Sequence, residues 1–447
     1  MCILKNIIRD ITLERTSIKM KTVAYHNLGC KVNAYEMDAM IESLRQHGYQ
    51  IVPFEEKADI YIINTCTVTN IADRKSRQML HRAKKVNPKG IVVAVGCYVQ
   101  ADTQAVEADN AVDLLIGNNR KKDLVEILEN YMDGVMQESV IDIHHTSEYE
   151  QMQITSTAEH TRAYIKIQDG CNQFCTYCMI PYARGRVRCR EKKSVLEEIK
   201  GLVAAGYKEF VLTGIHISSY GMEELLFLIQ EIDMIEGVER IRLGSLEPRI
   251  ITEDFTKELS ALTHFCPHFH LSLQSGCDSV LKRMNRHYTT EEYLKGVWLL
   301  RKYFDNPAIT TDVIVGFPGE TELEFDITRK FVEVVEFYEM HIFKYSKRRG
   351  TKAAMMPEQV SEEIKIHRSN VLQAIEQQHS KAFRASYIGK NKQVLLEEKR
   401  VLAGKEYWIG HTKEYVKVAC EAQDKMLENQ LITGKIKGFF QDDILLM

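Results

Sequence analysis

The sequence predicts an α/β protein in three parts: an N-terminal parallel α/β sheet domain, a central partial (β/α)6 barrel and a small C-terminal β-barrel. Three observations predict this. Over residues 20–135 short apolar runs alternate with helical patterns. Over residues 157–385 six further strand-like runs alternate with helices. From residue 386 onward only short strand-like runs remain. Regular strand–helix alternation implies parallel strands joined by crossover helices. At 447 residues, 45% apolar and 27% charged, the chain can fill more than one core. Its formal net charge of −3 supplies no global field for a polyanion, so such a partner must be held by local patches. No apolar run reaches the ~18 residues of a membrane span. The start is broken by Lys5, Arg9, Asp10, Glu14 and Arg15 and has no signal-peptide core. The run from Met20 reads as a strand entering the fold, so residues 1–19 are expected to be a dispensable extension.

In the N-terminal part, "KTVAYHN" leads into Cys30, "ADIYIIN" into Cys66 and "GIVVAVG" into Cys97. Helices are expected over 33–47, 69–86 and 119–131, the last after the strand "VDLLIG". Open α/β sheets bind ligands beyond the carboxyl ends of their strands, and each of these cysteines stands just past a different strand. Strands adjacent in the sheet would bring the three thiols to one crevice. Eleven cysteines in such a chain favour metal or redox use over a disulfide framework.

The central part opens on the strand "AYIKIQDG", followed at once by Cys171, Cys175 and Cys178 in C-x3-C-x2-C spacing. Strand runs recur at "KEFVLTGI", "ERIRLGS", "HFHLSL", "AITTDVIVG" and "YEMHIFKY", with helices such as 194–205, 279–284, 290–303 and 321–336 between them. Barrel sites lie at the C-terminal ends of the strands, where the cysteine loop falls. A compact three-cysteine loop can hold three corners of a 4Fe–4S cubane and leaves one iron for a non-protein ligand, whereas electron-transfer clusters and structural zinc take four ligands. Zinc is the alternative reading of this spacing. The tract His264, Cys266, His268 and His270 precedes and enters a strand, where only His268 and His270 share a face, and no metal site is expected from it. Cys2, Cys189, Cys277 and Cys420 lack ligand spacing.

Past helix 361–384, residues 386–447 offer five short strand runs with a net charge of only +1. Any contacts of this part must come from shape and from Tyr407, Trp408 and Tyr415, which could equally be core. Three basic runs, at 73–85, 184–193 and 344–352, carry six, six and five cations against one, one and no acid. Near the cysteine loops they favour a polyanion partner.

C-x3-C-x2-C after the first strand of a six-fold β/α barrel resembles the radical S-adenosylmethionine (SAM) enzymes. "LGCKVN", "NTCTVTN" and "VGCY" narrow the resemblance to the methylthiotransferases, over residues 20–447. The resemblance implies an N-terminal methylthiotransferase domain at 20–135, a radical SAM core at 157–385 and a TRAM module, OB-like and RNA-binding, at 386–447. It implies two 4Fe–4S clusters of three cysteines each, one on Cys171, Cys175 and Cys178 that binds SAM, and a second on Cys30, Cys66 and Cys97 that carries sulfur. SAM then serves as radical source and methyl donor, with an external electron donor and a sulfur donor that no motif identifies. Three branches of the family modify N6-isopentenyladenosine in tRNA, an aspartate of a ribosomal protein, or N6-threonylcarbamoyladenosine at position 37 of tRNA, next to the anticodon. "LGCKVN", "PYARG" and "YSKRRGT" are most similar to the third. The reaction so implied is methylthiolation at C2 of the adenine in a cytoplasmic enzyme, a 5′-deoxyadenosyl radical removing the C2 hydrogen. A more distant alternative is a SAM-binding electron-transfer protein.

Carried over by position, Tyr177, Thr213, Gly214, Glu247, Gln274 and Asp312 are expected to contact SAM. The threonylcarbamoyl carboxylate calls for a cation, with Arg184, Arg186, Lys347, Arg348 and Arg349 as candidates. Two departures from the pattern are Ser272, where a proline is usual, and a loop after "TGIHISSYG" that is short by about a dozen residues on the active-site side.

Overall fold

The computed structural model describes residues 21–447 apart from 136, 158–160, 403, 422–425 and 442. The proposed extension 1–19, with Cys2, lies outside the described residues.

The N-terminal sheet holds β1 (Thr22–Asn27), β2 (Gln50–Ile51), β3 (Ile60–Thr65), β4 (Ile91–Gly96) and β5 (Leu114–Ile116). All are parallel, in the order β2-β1-β3-β4-β5. The order reverses between β1 and β3, which is where doubly wound sheets of this order bind ligands. Helices α1 (Lys31–Gln46), α2 (Asn70–Val86), α3 (Cys97–Ala101), α4 (Thr103–Glu107) and α5 (Leu124–Met132) complete the layers. Thr69 caps α2, its Oγ1 accepting from the Ala72 N–H at 3.1 Å, which satisfies one of the donors a helix start leaves free. The helix expected from residue 119 starts instead at Leu124, because Asn119 takes a left-handed φ of +66° and a 3-10 turn intervenes.

The barrel contains β6 (Ala163–Asp169), β8 (Glu209–Gly214), β9 (Arg240–Leu243), β10 (His268–His270), β11 (Ala308–Val315) and β12 (Glu339–Lys344), with the short antiparallel β7 (Arg188–Cys189) outside β6. Ladders join β6-β8-β9 and β10-β11-β12, all parallel. Single bridges such as Leu246–Leu271 carry the sheet from one set to the other. Its helices are α6 (Ile180–Arg184), α7 (Lys192–Ala204), α8 (Met222–Asp233), α9 (Glu253–Ser260), α10 (Asp278–Arg283), α11 (Thr290–Tyr303) and α12 (Glu322–Val335). Capping boxes at Thr289/Glu292 and Thr321/Glu324 start α11 and α12.

Helix α13 (Glu362–Ala385) leads to a six-stranded sheet of β13 (Asn391–Leu402), β14 (Lys405–His411), β15 (Lys417–Glu421), β16 (Leu431–Lys435), β17 (Gly438–Gln441) and β18 (Ile444–Leu446), mostly antiparallel. Tyr407 and Trp408 are buried in its core. Tyr415, at φ +68°, reaches the lower end of the barrel. It stacks on His411 at 4.5 Å between centroids, and Arg162 and Arg242 lie 4.7 and 4.8 Å from its ring. All three rings serve packing. Arg240 and Arg242 donate to the carbonyls of His411 and Lys413 at 2.8 and 3.0 Å, so this domain docks on the face opposite the strand C-termini.

Glu209 anchors that junction. Burial opposes its ionisation, but Arg242, Arg162 and Arg240 outweigh it and hold the carboxyl down to about 2. A carboxyl depressed on folding adds stability above its unfolded pKa of ~4.3, and loses it as pH falls toward the folded value. Between pH 4.5 and about 2 the wild-type urea midpoint should therefore fall more steeply than that of Glu209→Gln. Parallel slopes would contradict this role.

Candidate functional site

The first triad is built from three strand ends. Cys30 ends the loop after β1 as the N-cap of α1, Cys66 follows β3, and Cys97 opens α3 directly after β4. Two glycines make the approach possible. A Cβ on Gly29, at φ +107°, would stand 3.2 Å from the Cys66 Cβ, and Gly96 turns the chain at φ +97°. Side chains then lock the loops. Asn33 Nδ2 donates to the carbonyls of Leu28 and Thr65 at 2.7 and 3.1 Å. The hydroxyl of Ser76 donates to the Cys66 carbonyl and accepts from its N–H. Burial, with Cys97 and Cys30 adding to it, pushes the Cys66 thiol up to about 11.

The second triad occupies the loop between β6 and α6. Burial raises the Cys171 and Cys178 thiols to about 11 and about 12. Donors nevertheless aim at sulfurs of both triads. The N–H of Gln173 lies 3.5 Å from Cys171 Sγ, the N–H of Ile180 3.4 Å from Cys178 Sγ, Arg286 Nη1 3.4 Å from Cys175 Sγ and Arg184 Nε 3.2 Å from Cys97 Sγ. Thiols are poor acceptors and thiolates good ones, so this donor set fits cysteines that give up their protons to a metal.

One cavity of about 410 Å³ takes in Cys30 from the first triad and Cys171, Cys175 and Cys178 from the second. Tyr177, Gly214, Glu247, Gln274 and Asp312 also line it. Thr213 is buried in β8 and is not among the lining residues. A Cβ on Gly214 would meet Gln168 Oε1 at 2.9 Å, so this wall depends on glycine. Burial opposes ionisation of Glu247, but hydrogen bonding to His216 and Arg249 prevails and holds it down to about 2.

The expected substrate cations divide. Arg184 is wholly buried. Its Nη2 lies 2.6 Å from Asn33 Oδ1 and 2.9 Å from Glu36 Oε2, and its Nη1 3.2 Å from Asp169 Oδ2, so no atom of it faces a substrate. Arg188 and Arg190 are buried too, against Asp169 and Glu198. The basic run 184–193 is thus largely an interior ion network, joined by Lys121 and Lys166 on Glu36, and not a nucleic-acid patch. Charges so buried are tolerated only when paired. Arg186 is exposed and lies 4.9 Å from the ring of Phe174. Arg348 lines the cavity but spends its Nη groups on Thr67, Asn70 and Asp73 of the N-terminal part; its Nε is buried without a partner. Lys347 and Arg349 are exposed and do not line the cavity.

Two lining groups carried no sequence signal: Arg286 and His216 are single polar residues in otherwise ordinary segments, while Lys344 opens the basic run 344–352 but is not among the expected substrate cations. The histidine tract does not converge on itself. His270 instead pairs with Asp312, Nε2 to Oδ2 at 3.3 Å, with His341 beside them from β12. Its partners come from two later strands.

A three-cysteine loop after the first strand of an open six-stranded parallel barrel, donors on its sulfurs and a cavity beside it, defines a radical SAM protein. Residues 22–117 match the uncharacterized protein family UPF0004, and residues 165–332 the Radical SAM superfamily. The chain is 40% identical over 415 residues to the threonylcarbamoyladenosine tRNA methylthiotransferase MtaB of Bacillus subtilis (strain 168), covering 91% of this chain and 92% of that one. It is 35% identical over 421 residues to the protein of the same name from Chlamydia pneumoniae, covering 94% and 96%. It is also 35% identical over 384 residues to the tRNA-2-methylthio-N(6)-dimethylallyladenosine synthase of Clostridium botulinum (strain Okra / Type B1), covering 83% and 84%. Among solved structures, the radical SAM methyltransferase TsrM of Kitasatospora setae with cobalamin and a [4Fe-4S] cluster bound shares the fold, at a TM-score of 0.58 and 15% identity over 75% of this chain and 74% of that one. The chain belongs to the radical SAM tRNA methylthiotransferase family, enzymes that use SAM and iron–sulfur chemistry to methylthiolate tRNA. Among the described residues no helix is long and apolar enough to cross a membrane.

Proposed function

We propose that this enzyme methylthiolates C2 of N6-threonylcarbamoyladenosine at position 37 of tRNA, with a second three-cysteine cluster on Cys30, Cys66 and Cys97 as the site of sulfur delivery. The observation that carries this reading is the shared cavity, which lets one nucleobase stand between the two triads. When bound, the cluster on Cys171, Cys175 and Cys178 supplies the electron that converts SAM into the agent removing the C2 hydrogen, a bond too weakly acidic for a side-chain base. The chain's own residues bind and aim. The carboxylates of Glu247 and Asp312 suit the ammonium and hydroxyl groups of SAM, and Tyr177 and Gly214 form walls of its cavity. The cavity-lining Arg348 and Lys344 suit the carboxylate that threonylcarbamoyl adds and isopentenyl lacks. Exposed Arg74 and Lys75 on α2 and Lys347 and Arg349 after β12 form a positive rim for tRNA phosphates, since Asn70 binds the Lys347 carbonyl at 3.0 Å and brings the two segments together. Residues 386–447 are read as a TRAM-like module whose exposed lysines, such as Lys399 and Lys435, contact RNA. A cytoplasmic location and an external electron donor follow from this activity.

Nucleoside analysis of tRNA from cells lacking the protein tests it. The methylthio form of threonylcarbamoyladenosine should vanish while the unmodified form accumulates. Loss of the methylthio isopentenyl nucleoside instead would overturn the substrate.

A further inference from the structure

We infer that Arg184 is a positioning residue for the cluster on the first triad: its Nε–H donates to the sulfur of Cys97, and the helix that carries it sets the spacing between the two triads. The inference rests on the two-cluster reading above. Helix α6 begins two residues after Cys178. Its first N–H, from Ile180, points at Cys178 Sγ, and its last side chain, Arg184, points at Cys97 Sγ. Four residues of helical rise, roughly 6 Å, thus separate a contact to one triad from a contact to the other. Pro181 stands in the first turn of this helix. Gly185, at φ +69°, follows it where a Cβ would meet the Ile143 carbonyl oxygen at 2.2 Å.

The rest of the guanidinium is fully engaged. Its Nη groups bind Glu36, Asp169 and Asn33, and the amide of Asn33 holds the carbonyls of Leu28 and Thr65, in the loops that present Cys30 and Cys66. Arg184 therefore touches one cysteine directly and the other two loops through a single asparagine. With no exposure to solvent, its N–H is not lost to water. A cationic donor on a cluster sulfur stabilises the more negative, reduced cluster and raises its potential. Lysine keeps the charge but has no planar fork to reach Cys97, Glu36 and Asn33 together.

The test uses the full chain with Cys171, Cys175 and Cys178 changed to Ala and reconstituted with iron and sulfide. About four irons per chain are expected; an iron-free protein would refute the second cluster itself, separately from the role of Arg184. In this background Arg184→Lys should keep its iron, and its reduction equilibrium should fall about tenfold, about 59 mV for a one-electron couple, read by dye-mediated dithionite titration with EPR. Arg190→Lys is the control: Arg190 binds Glu198 at 2.6 Å and, across the same junction, Tyr35 at 3.1 Å and donates to no cysteine, so the potential should not move. Pulsed EPR of the reduced parent carrying isotopically labelled arginine should show a coupled arginine nitrogen, a readout independent of whether the variant folds. Equal potentials for Arg184 and Arg184→Lys, or no coupled nitrogen in the parent, would overturn the inference.

Discussion

Cys175→Ala is expected to abolish SAM cleavage and to lower the reconstituted protein from about eight irons per chain to about four. The open coordination position on which SAM depends exists only while all three thiols of the second triad hold their cluster. Cys66→Ala should also fall to about four irons, yet keep reductive SAM cleavage and lose methylthio transfer. The two triads sit on different sheets, one at strand ends of the five-stranded sheet and one in a barrel loop, so each cluster is expected to be lost alone. Iron analysis and quantification of 5′-deoxyadenosine check both variants. Loss of SAM cleavage in Cys66→Ala with the barrel cluster intact would contradict the division of labour.

The second large effect concerns substrate. Purified tRNA bearing threonylcarbamoyladenosine should be methylthiolated, and tRNA bearing isopentenyladenosine should not. A cation that meets a carboxylate is worth about 1.5–3 kcal/mol per charge-assisted hydrogen bond, and an isopentenyl group offers no such partner. Arg348→Ala and Lys344→Ala should each slow the threonylcarbamoyl reaction by that amount. Arg348→Ala should also lower thermal stability, because the same side chain binds Asp73 at 2.5 Å, whereas Lys344→Ala should not. Lys347→Ala, on the rim, should weaken both tRNAs alike and flatten the salt dependence of binding. Equal turnover of the two tRNAs by the wild-type enzyme would defeat the assignment.

The cysteines were legible because a position just past a strand is a position in space: sheet topology carries Cys30, Cys66 and Cys97 to one edge whatever the helices do. The arginines were not. Arg184, Arg188 and Arg190 read as part of a basic run for a polyanion, with Arg184 also a cation for the substrate carboxylate, and their burial depends on Glu36, Asp169 and Glu198. Glu36 lies 148 residues from Arg184, and no local pattern announces such a pairing. Arg348 and Asp73 repeat the case across 275 residues. His270 escaped for the same reason, since Asp312 and His341 meet it only once β10, β11 and β12 lie side by side. Periodicity reads which face a residue takes on its own element, and the identity of the opposing charge belongs to the tertiary fold.

The most direct measurement follows deuterium placed at C2 of threonylcarbamoyladenosine in a purified tRNA through one turnover with SAM and a reductant. The account predicts that the methylthio nucleoside forms and that the label appears in 5′-deoxyadenosine. Product that forms while the label stays in the nucleoside, or goes to solvent with none in 5′-deoxyadenosine, would contradict it.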